Sequence, residues 1–90
     1  MRFAVICQDK PAALQTRTDN RAAHLAYIQS SGVVEMAGPF LDSEGKMMGS
    51  LVILLVDTVQ AGKDWAAGDP YAKAGLFADV VIREWKKVIG

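Results

Sequence analysis

His24 is the only histidine in this 90-residue chain. Imidazole is the one side chain whose ordinary pKa lets it exchange a proton between about pH 5 and 8. It stands in Arg21-Ala22-Ala23-His24-Leu25-Ala26-Tyr27-Ile28, a stretch that reads as helix. At about 100° per residue, His24 shares its azimuth with Arg17 and Ile28, and Arg21 and Tyr27 lie a turn away on either side. Leu14, Thr18, Ala22, Leu25 and Ile28 recur at helical spacing and predict the apolar stripe of that helix. His24 falls on the border of this stripe, where it can point into a cleft between helix and sheet edge. Flanking arginines attract an anionic ligand, and an imidazole among them suits a general base. The other reading of the same pattern is a half-exposed helix histidine with solvated arginine neighbours.

Few other groups offer chemistry. Asp69 opens Asp69-Pro70-Tyr71, the pattern of an N-cap carboxylate before a proline in the first helical turn. Such a carboxylate can also orient an imidazole if two helices bring them together. Asp42, Glu44, Asp57 and Asp64 fall in turns or on helix surfaces, where solvation accounts for them. Cys7 is the only cysteine, so no intrachain disulfide forms, and it reads as a small hydrophobe buried in a strand. A thiol activated by His24 is the lesser reading. No histidines or cysteines pair at ligand spacing and no glycine-rich phosphate loop is present, so neither a metal nor another cofactor is expected. A heme or metal monooxygenase is disfavoured because the sole histidine has no second ligand.

Composition narrows the class. Half the residues are apolar and the formal net charge is zero, which predicts one globular domain spanning residues 1–90. No basic run exceeds Lys86-Lys87, so a nucleic-acid footprint is missing. The apolar run Leu51 to Val56 is too short to span a bilayer. Gln8, Asp9 and Lys10 interrupt the N-terminus too soon for a signal peptide, and a cytoplasmic protein is expected.

The elements that position these groups follow from the pattern. Arg2 to Gln8 reads as a strand. Asp9-Lys10-Pro11 predicts a helix start with Asp9 as N-cap, and the helix runs to about Ser30 before Gly32 ends it. Val33 to Ala37 reads as a second strand closed by Gly38-Pro39, Leu41 to Met48 as a loop, and Ser50 to Asp57 as the clearest strand. Thr58 caps a helix to about Ala67, Asp69-Pro70 restarts a short turn through Ala74, and Phe77 to about Lys86 forms the last strand. The order β-α-β-β-α-β is the ferredoxin-like α+β arrangement, a four-stranded antiparallel sheet with both helices on one face. An open sheet with one wet face should alternate, yet Phe3 to Cys7 and Leu51 to Val56 do not. A second copy packed sheet to sheet would bury the open face in a homodimer. A ligand or the long loop covering that face is the alternative. Trp65 and Trp85 are expected in the core or at the subunit contact.

Arg21-x-x-His24-Leu25-x-Tyr27-Ile28, then Ala37-Gly38-Pro39, Gly49-Ser50 and Asp69-Pro70-Tyr71-x-x-Ala74-Gly75-Leu76-Phe77, together resemble the YciI-like (YCII-related) family and its bacterial members. The order and spacing hold along nearly the whole chain. The resemblance implies a dimeric α+β barrel with a cleft beside each sheet. It also implies a histidine and an aspartate acting there as an acid–base pair. These carry over to His24 and Asp69. Ser50, after Gly49, would donate a hydrogen bond near the same pocket, and Arg21 and Tyr71 are the next substrate-binding candidates. One relative is a dehydrochlorinase acting on a chlorinated hydroxyhydroquinone. The expected function is therefore a small cofactor-free lyase, isomerase or dehalogenase acting on a small cyclic or aromatic metabolite. The alternative is a non-catalytic dimeric module that binds or senses such a metabolite.

Overall fold

The computed structural model describes residues 1–90. Strand β1 (Arg2–Asp9) lies between β3 (Met47–Leu55) and β4 (Phe77–Trp85), and β2 (Val34–Leu41) pairs with the outer edge of β3. All three pairings are antiparallel. Helix α1 (Leu14–Ser31) joins β1 to β2, while α2 (Val59–Gly68) and the one-turn α3 (Pro70–Lys73) join β3 to β4. This is the ferredoxin-like α+β arrangement expected from the order of elements.

Alternation along the strands sorts the side chains. Cys7 lies opposite Ser50, Val5 opposite Val52 and Phe3 opposite Leu54, so these six share one face. Val5, Cys7, Val52 and Leu54 pack with Trp65 of α2 into the core, and Tyr27, Ile28 and Ile82 close around them. Gly62 of α2 faces Phe3 and Ile82, where a Cβ would make ordinary van der Waals contact. Thr58 caps α2 as expected, its Oγ1 accepting from the Ala61 N–H at 3.1 Å.

Three sequence expectations need correction. Helix α1 starts at Leu14, not beside Asp9, and its N-cap position, Ala13, makes no side-chain bond. Asp9 ends β1 instead, opposite Phe77 at a bulge, and its carboxylate turns inward to an arginine. Strand β2 continues through Gly38-Pro39 to Leu41, because it is an edge strand, where a proline is tolerated. The loop shrinks to residues 42–46, where Asp42 Oδ1 accepts from the Glu44 and Lys46 N–H groups and Gly45 takes φ 80°.

The third correction concerns α1. Leu14 and Leu25, from the expected apolar stripe, are 40% and 42% exposed, whereas Arg17 and His24 are 2% and 6%. The helix turns a polar line to the protein, and each buried polar group on it has a partner. The opposite sheet face carries Met36, Phe40, Leu55 and Trp85, all exposed, so only Trp65 of the two tryptophans joins the core. No helix is long and apolar enough to cross a membrane.

Candidate active site

Arg17 and His24 lie two turns apart on α1, and the Tyr71 ring fills the space between them. The imidazole stacks on that ring at 3.9 Å with an interplanar angle of 13°, and the Arg17 guanidinium carbon lies 4.8 Å from the ring centre. Phe77 meets the Tyr71 ring edge-on at 6.1 Å. Asp69 precedes Pro70 and caps α3, its Oδ1 accepting from the Tyr71 N–H at 3.0 Å. The same oxygen lies 2.7 Å from His24 Nδ1. A carboxylate only accepts, so Nδ1 carries the hydrogen, and the neutral form of the ring has its lone pair on Nε2. No protein group bonds Nε2, and every fully buried polar side-chain atom has a partner, so Nε2 opens to the cleft that His24 lines.

A second buried pair stands on the other side of Tyr71. Arg17 Nε and Nη2 donate to the two Asp9 oxygens at 2.7 and 2.8 Å. Burial by itself would lower the arginine's pKa, but the hydrogen bonds and charge of Asp9 outweigh it and hold it raised. Arg17 Nη2 also donates to Ser50 Oγ at 2.9 Å. The serine oxygen is thereby used as an acceptor, which leaves its O–H hydrogen to donate elsewhere. Gly49 precedes Ser50 because a Cβ there would lie 2.4 Å from the Cys7 carbonyl oxygen. Burial raises the Tyr71 phenol against the lowering influence of Arg17 and Arg21, so its hydroxyl stays protonated at neutral pH. Burial, followed by the charge of Asp69, pushes the Cys7 thiol up to about 12, and a thiolate nucleophile is ruled out there.

These groups border a cleft of about 140 Å³ between α1 and the β2–β3 strands. Arg17, His24, Ser50 and Tyr71 line one side; Ala37, Pro39, Met47 and Val52 supply the aliphatic side, with Leu25 and Ile28 from α1. Arg21 lines the cleft from an exposed position and makes no ion pair. Of the five residues expected from the sequence, His24, Asp69, Ser50 and Tyr71 come together, and Arg21 stands at the rim. Asp69 does not line the cleft but backs the imidazole. Asp9 and the structural part played by Arg17 escaped sequence reasoning. The available signal was the azimuth that Arg17 shares with His24.

Comparison with known proteins identifies the family and the fold. The chain is 40% identical to an uncharacterized protein of Haemophilus influenzae over a 97-residue alignment covering 98% of this chain and 99% of that protein. Protein YciI of Escherichia coli O6:H1 is 35% identical with the same coverage. Among solved structures, 5-chloro-2-hydroxyhydroquinone dehydrochlorinase (TftG) from Burkholderia phenoliruptrix AC1100, in complex with 2,5-dihydroxybenzoquinone, superposes with a TM-score of 0.88. It is 35% identical, and the match covers 96% of this chain and 94% of that one. An antibiotic biosynthesis monooxygenase shares the fold at a TM-score of 0.60 and 11% identity. The YCII-related domain model matches residues 1–86, and the chain belongs to that family.

Proposed function

We propose that this chain is a single-domain, homodimeric enzyme that performs acid–base chemistry on a small cyclic or aromatic metabolite, as a lyase, isomerase or dehalogenase. The observation that carries this reading is the 2.7 Å contact of His24 Nδ1 with buried Asp69, which leaves Nε2 free at the cleft. Nε2 takes a proton from an acidic O–H or C–H of the substrate. Asp69 holds the tautomer and offsets the charge of the imidazolium that results. The bonding electrons released move into the ring, and in an elimination the leaving group departs with its own pair. Ser50, oriented by Arg17, and the Tyr71 hydroxyl donate to the oxygen on which charge develops. Arg21, the cleft cation with no carboxylate partner, draws in the anionic form of the substrate. The dehydrochlorinase likeness at 35% identity supports a substrate of the hydroxylated-ring type.

The test is chloride release and quinone absorbance with a panel of chlorinated hydroxyhydroquinones, using the wild-type chain and His24→Ala. The variant is expected to keep its fold and its binding of 2,5-dihydroxybenzoquinone while turnover falls by at least a hundredfold, the scale of general-base catalysis. Wild-type turnover in His24→Ala would remove the mechanism. Binding without turnover by the wild type across the panel would favour the non-catalytic metabolite-binding module.

A further inference from the structure

Tyr27 lies one turn beyond His24 on the inward line of α1, yet its hydroxyl does not serve the cleft. It donates to the Trp65 carbonyl at 2.7 Å, near the C-terminus of α2, where carbonyls lack helical partners. Its ring leans on the Trp65 indole at 5.1 Å, and the indole N–H donates to Ser31 Oγ at 3.1 Å. Helix α1 therefore grips the last turns of α2 at two points. Four residues after Trp65 the chain reaches Asp69, so these contacts fix the corner from which the carboxylate meets His24.

Gly68, the residue before Asp69, fits this role by its size. A Cβ built there would lie 2.6 Å from the Tyr27 hydroxyl oxygen and 3.3 Å from Cζ. Gly68 has no positive φ that would demand glycine, and alanine is intrinsically the better helix residue. What excludes a side chain is the hydroxyl. Burial, and after it the charge of Asp69, raises the Tyr27 phenol, so it stays protonated as the donor this contact needs.

We infer that Tyr27 and Gly68 are paired positioning residues, a latch that sets the His24–Asp69 contact. The inference rests on that pair being the working unit of the proposed function. It is tested by nitrogen-15 NMR of the His24 side chain in the full chain. The wild type should show a downfield, slowly exchanging Nδ1 proton and an unprotonated Nε2. Gly68→Ala is expected to lose the Nδ1 signal while circular dichroism keeps its helical content. Tyr27→Phe should speed exchange of that proton at least tenfold. The double variant should return to the level of Tyr27→Phe alone, because the new methyl occupies the space the hydroxyl left. A wild-type signal in either single variant, or a double variant with summed losses, overturns the latch. Should Gly68→Ala fail to fold, recovery of folding and signal in the double variant supports the latch, and wild-type exchange in Tyr27→Phe refutes it. A wild type that lacks the Nδ1 signal refutes the proposed acid–base pair itself, and the latch with it.

Discussion

His24 is held on two sides by groups that leave only one nitrogen to act. Tyr71 stacks on its face and Asp69 occupies Nδ1, so the ring has neither a free rotation nor a free tautomer. The sequence offered His24 as the sole neutral-pH proton carrier, and the family likeness offered Asp69, 45 residues away. The stacking of Tyr71 between imidazole and guanidinium was not legible, since nothing in local spacing places α3 against α1. Cys7 is legible as a buried strand residue, and its burial has a measurable effect. The folded thiol is raised from 9.0 to about 12. Its contribution to stability is therefore fully present below pH 9 and lost as the pH rises towards 12, because the unfolded chain releases a proton that the folded chain keeps. Tyr27 and Tyr71 are raised too and act in the same sense. Urea unfolding across this range should show falling stability, with a shallower slope in Cys7→Ala, and no reaction of the folded thiol with alkylating reagents at pH 8.

Helix α1 and strand β1 are stitched together by the buried Asp9–Arg17 pair, whose side chains are only 4% and 3% exposed. Asp9→Ala would leave the Arg17 charge buried without its bidentate partner and is expected to destabilise by about 3–5 kcal/mol in urea unfolding. Adding Arg17→Met should recover much of that loss, since apolar side chains often replace a buried pair without harm. The same element shows where periodicity misleads. Leu14, Thr18, Ala22 and Leu25 make a credible apolar stripe, but the helix rotates so that Arg17, His24, Tyr27 and Ser31 face inward, each with a hydrogen-bond partner. The partners of His24, Tyr27 and Ser31 are Asp69 and Trp65, at the end of α2 and just beyond it, so no window of local sequence contains them. Asp9 was misread for a related reason. An aspartate just before Lys10-Pro11 has the form of a helix cap, but it lies at the bulge opposite β4 and its carboxylate bonds Arg17, eight residues on. The apolar centres of β1 and β3 were plain because β-branched and apolar runs report burial directly, whereas the exposed half of β2 beyond Ala37 was not.

At the scale of the molecule, the feature to account for is the sheet face that no helix covers. Met36 and Leu55 are 49% and 44% exposed there, beside Phe40 and Trp85 at 38% and 39%. Side chains of this size on one open sheet face, in water, favour covering by a second copy. Light scattering should give about twice the chain mass of 9.7 kDa, and Met36→Glu with Leu55→Lys should shift it to the monomer without unfolding. A wild-type mass of one chain at micromolar concentration would refute the dimer. The wide sequence separation of the cleft's groups has a further consequence. Asp9 comes from the first strand, Arg17 and His24 from the first helix, Ser50 from the third strand, and Asp69 and Tyr71 from the segment before the last strand. The contacts that join α1 to the later chain close long loops, 33 residues for Arg17 with Ser50 and 45 for His24 with Asp69, before any reward is collected. During refolding, strands and helices can therefore form well before the cleft exists, and no fragment lacking either half of the chain holds the imidazole–carboxylate pair.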